Sequence, residues 1–114
     1  MRLLYDPEGD VLDVIFDERL HRAEKAAYRL RDGIMLYLTA NSNKPIQLTL
    51  VNYRRFAQLS VLQFEGWQSL KASDKKRLSP ILASPMVSTF LKLDTRTGYG
   101  HLSHGAYSPH VVGR

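Results

Sequence analysis

From residue 11 the chain alternates strictly between apolar and polar positions. Leu12, Val14 and Phe16 fall on one side, and Asp13 and Asp17 on the other beside Val11 and Ile15. A period of two is the mark of a half-buried β-strand. Residues 2–6 and 11–17 are therefore expected to be two strands. The link Asp6-Pro7-Glu8-Gly9 has Asp at the first turn position, Pro at the second and Gly at the fourth. The Asp side chain caps backbone amides, Pro presets φ, and Gly accepts a positive φ, so a type I turn and a bulged hairpin loop are predicted.

Two further alternations follow. Ile34, Leu36 and Leu38 oppose Met35, Tyr37 and Thr39, and Ile46, Leu48 and Leu50 oppose Gln47, Thr49 and Val51. Ala40 to Pro45 reads as a loop by composition. Residues 19–31 carry two periods at once: Leu20, Ala23, Ala27 and Leu30 at helical spacing, and Ala26, Tyr28 and Leu30 in alternation. Asp32-Gly33 comes next, the strongest short hairpin signal in the chain. The reading adopted is a strand over 24–31 paired with 34–39, although propensity alone does not decide it.

Asn52 is a candidate helix N-cap, with Tyr53, Phe56, Ala57 and Leu59 on one helical face behind it. Residues 60–64 also fit a strand, and Gly66 marks a break. Ser73 is a candidate N-cap for a helix over 74–79, with Asp74 at its positive end. Pro80 kinks that helix or starts another turn, and Pro85 closes the region. Residues 86–93 and 99–103 are predicted to form a late hairpin around Asp94 to Gly98. The segment 105–114 contains two glycines, a proline and little periodicity, and is expected to be a mobile tail.

Composition narrows the function classes. At 114 residues the chain is long enough for one domain with one core. It has no cysteine, which excludes disulfides, thiolate metal sites and a thiol nucleophile and suits a reducing cytoplasm. Only three apolar residues separate Arg2 from Asp6, too few for the apolar region of a signal peptide. The longest apolar run, Ile34 to Leu38, is far too short to span a membrane. The formal charge of +5 is unevenly placed: residues 1–32 carry net −2 and the remainder net +7. A basic body of this kind attracts polyanions or the acidic head of a second copy.

The stretches YDPEGDVLDVIF, DGIMLYL and IQLTLVNYRRF resemble a widespread family of short bacterial proteins, catalogued as a domain of unknown function. The match falls on Tyr5, Asp6, Asp10 and Leu12, then Asp32-Gly33, then 46–56, and so covers residues 1–56. Asp13 departs from the family pattern, which often has Tyr there. The resemblance implies a small antiparallel meander, supports the strand at 24–31, and implies self-association as a homodimer. It implies no catalytic residue.

Each candidate chemistry has a competing structural reason. Asp6, Glu8 and Asp10 alternate like the opening of a calcium loop, but such a loop needs Gly at its sixth position and Glu at its twelfth. Here Gly9 stands fourth, so turn capping by Asp6 and edge solvation by Asp10, Asp13 and Asp17 is the better reading. His101 and His104, with His110 beyond, are spaced so that a strand sends the first two to opposite faces. No nucleophile elbow and no phosphate-cradling glycine loop is present. The basic residues Arg54, Arg55, Lys75, Lys76 and Arg77, with Tyr53, Trp67 and Tyr99 as stacking surfaces, make a candidate nucleic-acid surface. No helix-turn-helix, RNA-recognition or OB pattern accompanies them, and Trp67 and Phe64 suit a core equally well.

The expected fold is α+β in a single domain over residues 1–104. A four-stranded antiparallel meander occupies 2–52, one or two helices lie within 53–84, and a hairpin spans 86–103. Leu12, Val14, Phe16, Leu36, Leu38, Leu48, Leu50 and Phe56 are expected in the core. The function expected first is a non-catalytic binding or assembly module, cytoplasmic and homodimeric, with no cofactor, no membrane partner and no identifiable small-molecule ligand. The alternatives are a nucleic-acid-binding accessory protein using the five basic residues, and a metal-dependent hydrolase built on the acidic turn or the late histidines.

Overall fold

The alternating segments become the strands of the larger sheet. In a computed structural model that describes residues 1–103, β1 (Arg2–Asp6), β2 (Val11–Ile15), β3 (Lys25–Arg31), β4 (Ile34–Thr39) and β5 (Pro45–Val51) are antiparallel neighbours. Their spatial order is β1-β2-β5-β4-β3. The expected four-stranded meander is therefore corrected twice: all five alternating segments are strands of one sheet, and β5 lies between β2 and β4. The reason for the order is the connection after β2. A strand can turn back on its neighbour within a few residues, but residues 16–24 instead cross the end of the sheet and place the β3–β4 hairpin on the far side. That leaves a slot which β5 fills, giving a Greek-key order for β2 to β5. Phe16 N–H donates to Ile46 O at 2.7 Å at the point of departure. A single 3-10 turn, Glu18–Leu20, shapes the crossing, with the Asp17 carboxylate accepting from Arg19 N–H.

The second half of the chain covers one face of that sheet. It contains α1 (Tyr53–Ala57), β6 (Leu62–Gln63), α2 (Glu65–Gln68), α3 (Ala72–Ala83), α4 (Pro85–Ser88), β7 (Leu91–Asp94) and β8 (Tyr99–Leu102). The last three strands form a small antiparallel sheet in the order β6-β8-β7. Three boundaries differ from expectation. The first half of the predicted strand 86–93 is the helix α4, because Pro85 at its first position presets a helical φ. The helix predicted over 74–79 runs from Ala72 to Ala83 with Pro80 inside it, and Lys71, not Ser73, holds the N-cap position. Three helices, α1 to α3, stand within 53–84 where one or two were expected, and α4 follows.

All eight expected core residues are buried. They pack with Leu30, Phe64, Trp67, Leu78, Val87, Leu91 and Leu102 into one cluster between the larger sheet and the helices. Gly66 lets α2 lie directly on β3: a Cβ there would stand 2.2 Å from Arg29 O. Among the described residues no helix is long and apolar enough to cross a membrane. The mobile tail expected at 105–114, and His104 and His110, lie outside the described residues.

Candidate functional site

The acidic opening segment resolves into three structural tasks. Asp6 Oδ1 accepts from Glu8 N–H at 3.1 Å and holds the turn. Asp10, not Gly9, takes the left-handed backbone conformation, with φ +53°. Asp tolerates that region better than most side chains. The conformation carries its carboxylate to the start of α1, where both oxygens accept from Arg54 N–H, at 3.1 and 3.2 Å. Tyr5 Oη donates to Asp10 Oδ1 at 2.7 Å, and Asp10 O accepts from Tyr53 N–H at 3.0 Å. Asn52 sits at the N-cap position but makes no side-chain cap bond. The cap of α1 thus comes from a residue 44 positions earlier in the chain.

Asp13 belongs to a different group. It lies on the face of the larger sheet opposite the core, where the register sets Leu4, Asp13, Thr49 and Met35 in one row and Ile15, Gln47 and Tyr37 in the next. Asp13 Oδ1 accepts from Thr49 Oγ1 at 2.6 Å and from Gln47 Nε2 at 3.0 Å. Gln47 Oε1 lies 2.9 Å from His21 Nε2, so His21 carries its proton on that nitrogen. His21 comes from the crossing segment, which folds over the end of this face. Ile15 there is buried outside the main core. The rest of the face is half-exposed, with Val11, Met35, Tyr37 and Val51 around the polar group and Leu4 41% exposed at its margin. The sequence showed Gln47 and Thr49 only as the polar half of an alternation and gave His21 no role. Polar side chains at i and i+2 on a strand flanked by strands are the signal that points to such a network.

Charge elsewhere is largely spent on holding elements together. Glu65 Oε2 accepts from Arg29 Nη1 at 2.7 Å and from Asp32 N–H at 2.9 Å, tying α2 to the β3–β4 turn. Burial pushes its pKa up, but these two donors outweigh burial and leave it below the usual carboxylate value. The five predicted nucleic-acid residues divide between two helices with different neighbours: α1 lies beside β8, and α3 beside α4 and β7. Arg54 pairs with Asp10 at 3.5 Å. Arg77 donates to Tyr28 Oη at 2.7 Å and to Asn43 Oδ1, and reaches Thr39 O at 3.4 Å. Arg55 and Lys76 are exposed and Lys75 half-buried. Of the proposed stacking surfaces, Tyr53 and Trp67 are core residues, and Trp67 Nε1 donates to Thr95 O at 3.1 Å. Tyr99 is exposed beside a cleft of about 380 Å³ floored by Leu82, Leu91 and Leu93 and rimmed by Lys92 and His101. Among the described residues no three His, Asp or Glu side chains are grouped to hold a metal ion.

No protein-family model, curated protein sequence or solved structure matches this chain.

Proposed function

We propose that this protein is a non-catalytic assembly module of the cytoplasm that acts as a homodimer, with the five-stranded sheet as its contact surface. One observation carries the reading. Helices cover a single face of that sheet, and α2 lies against a single edge, at β3; the opposite face and β1 are left open among the described residues. Four polar side chains on the open face, Asp13, Thr49, Gln47 and His21, are already hydrogen-bonded to one another, which lowers the cost of covering them. Membership of the bacterial family suggested by Tyr5, Asp6 and Asp10 fits the same picture. The Tyr5–Asp10–Arg54 contacts supply a structural task for that motif, which supports the reading.

The test is mass in solution. Sedimentation or native mass measurement from about 1 to about 500 μM should show conversion from 13.0 kDa to twice that mass. A monomer throughout the series overturns the reading. A titration with generic DNA and RNA at low salt is run beside it. Saturable binding that weakens steeply with salt, and is lost on changing Arg55 and Lys76 to Glu, assigns the protein to nucleic acid instead.

A further inference from the structure

We propose that two copies of the chain join along β1, antiparallel and centred on Leu4, so that the two five-stranded sheets become one continuous sheet. This rests on the homodimer reading and specifies its interface.

Three observations converge on β1. Among the described residues it is the terminal strand of its sheet, paired with β2 alone. The other terminal strand, β3, is guarded in several ways. It carries Lys25, Arg29 and Arg31, it is bulged between Arg29 and Arg31, and α2 lies against its backbone at Gly66. Charges, bulges and covering helices are the devices that keep sheet edges from pairing. β1 has none of them in its centre: Leu3-Leu4-Tyr5 is uncharged, contains no proline, and pairs with β2 in unbroken register.

The third observation is that the strand is complementary to itself. An antiparallel pair of identical strands related by a two-fold axis must be centred on one residue opposite its own copy. With Leu4 at the axis, Arg2 faces Asp6 of the second copy, and Asp6 faces its Arg2. Leu3 then faces Tyr5 on the core side. Arg2, Leu4 and Asp6 lie on the open face, so both charge pairs flank a Leu4–Leu4 contact. Centring on Leu3 sets Arg2 against Leu4, and centring on Tyr5 sets Asp6 against Leu4; both lose a charge pair and shorten the ladder. The present partner of Arg2 is Glu18 at 3.2 Å, with both side chains more than half exposed. Exchanging that contact for Asp6 costs little. Leu4 itself is 41% exposed in the single chain.

The experiment uses the absence of native cysteine. Directly opposite residues place their Cβ atoms about 5 Å apart, within reach of a disulfide after small adjustment. Leu4→Cys should form a covalent dimer under mild oxidation at least about tenfold faster than Met86→Cys, which is also 41% exposed but lies on α4. Arg2→Asp should weaken the dimer about tenfold or more, by setting two carboxylates together at each end of the ladder. Arg2→Asp with Asp6→Asn, which removes the repulsion and keeps an oxygen for Glu8 N–H, should recover part of it. Met35→Glu, on the open face of β4, should leave the dimer intact. Should Leu4→Cys cross-link no faster than Met86→Cys while the wild type is a dimer by mass, the β1 interface is wrong and the homodimer stands. Loss of the dimer in Met35→Glu but not in Arg2→Asp moves the contact to the sheet face. A wild-type monomer at every concentration removes both proposals.

Discussion

Replacing Asp10 tests the claim that the acidic corner is architecture. The carboxylate is 20% exposed and performs two tasks, capping α1 through Arg54 N–H and accepting the Tyr5 hydroxyl. Losing a helix cap costs about 1 kcal/mol. Losing a hydrogen bond to a charged acceptor in a half-buried setting costs about 1.5 kcal/mol. Alanine also meets the left-handed backbone at φ +53°, at a cost of about 1 kcal/mol. Asp10→Ala should therefore lose about 3.5 kcal/mol, a large fraction of a stability of about 5–15 kcal/mol. Asp10→Gly relieves the backbone and should lose less, about 2.5 kcal/mol. Asp10→Asn keeps both the backbone preference and an oxygen acceptor, and should lose under about 1 kcal/mol. Urea unfolding measures all three, provided the slope of each transition is unchanged. Combining Tyr5→Phe with Asp10→Ala should lose less than the two single changes together, because they share one bond. A loss below about 1 kcal/mol for Asp10→Ala, or additivity of that pair, refutes the assignment.

Three other outcomes follow from the same geometry. Gly66→Ala drives a Cβ to 2.2 Å from Arg29 O, a backbone atom that cannot swing aside. It should cost about 3 kcal/mol or more, read as a lowered urea midpoint or failure to fold. Glu65 has a folded-state pKa below its unfolded value, so its contribution is present above the unfolded value of 4.5 and fades as pH falls through the folded value. Its side chain is 41% exposed, which limits that contribution to about 1 kcal/mol at most. Glu65→Gln should be less stable than wild type at pH 6–8, with the gap closing below about pH 4.5. A gap independent of pH between 3 and 7 contradicts the pairing with Arg29 and Asp32. Trp67→Phe should lose about 1–2 kcal/mol, read as a lowered urea midpoint, because Thr95 O loses its indole donor in a part-buried site.

Local pattern was legible where one strand face meets the core. Leu12, Val14, Phe16, Leu36, Leu38, Leu48 and Leu50 were identifiable because a period of two has one interpretation once one side is buried. The strand order was not, since it depends on whether residues 16–24 turn back or cross, and both routes suit their composition. The sequence MVSTFLKL satisfies helix and strand alike. Pro85 starts its first half as helix, and the division falls at Thr89, where α4 has ended and β7 has yet to begin, with Val87 and Phe90 buried on either side. Asp10 and Arg54 are 44 residues apart, and no local rule connects a turn carboxylate to a helix that far downstream. Separations of 26 to 36 residues hid the other network: Asp13, Gln47 and Thr49 were legible as the polar side of their strands, His21 had no assigned role, and their mutual contacts required the β5 insertion.

The central position of β5 has a consequence for synthesis. Val14 finds its lateral neighbour Leu48 only after about 34 more residues have been added, which at about 5–20 residues per second is several seconds of translation. Until residues 45–51 follow it out of the ribosome, the first hairpin has Leu12, Val14 and Phe16 lacking their flank. The β3–β4 hairpin, closed locally at Asp32-Gly33, meets the same gap from the other side. Residues 45–51 are the piece that joins two separately closed hairpins into one sheet.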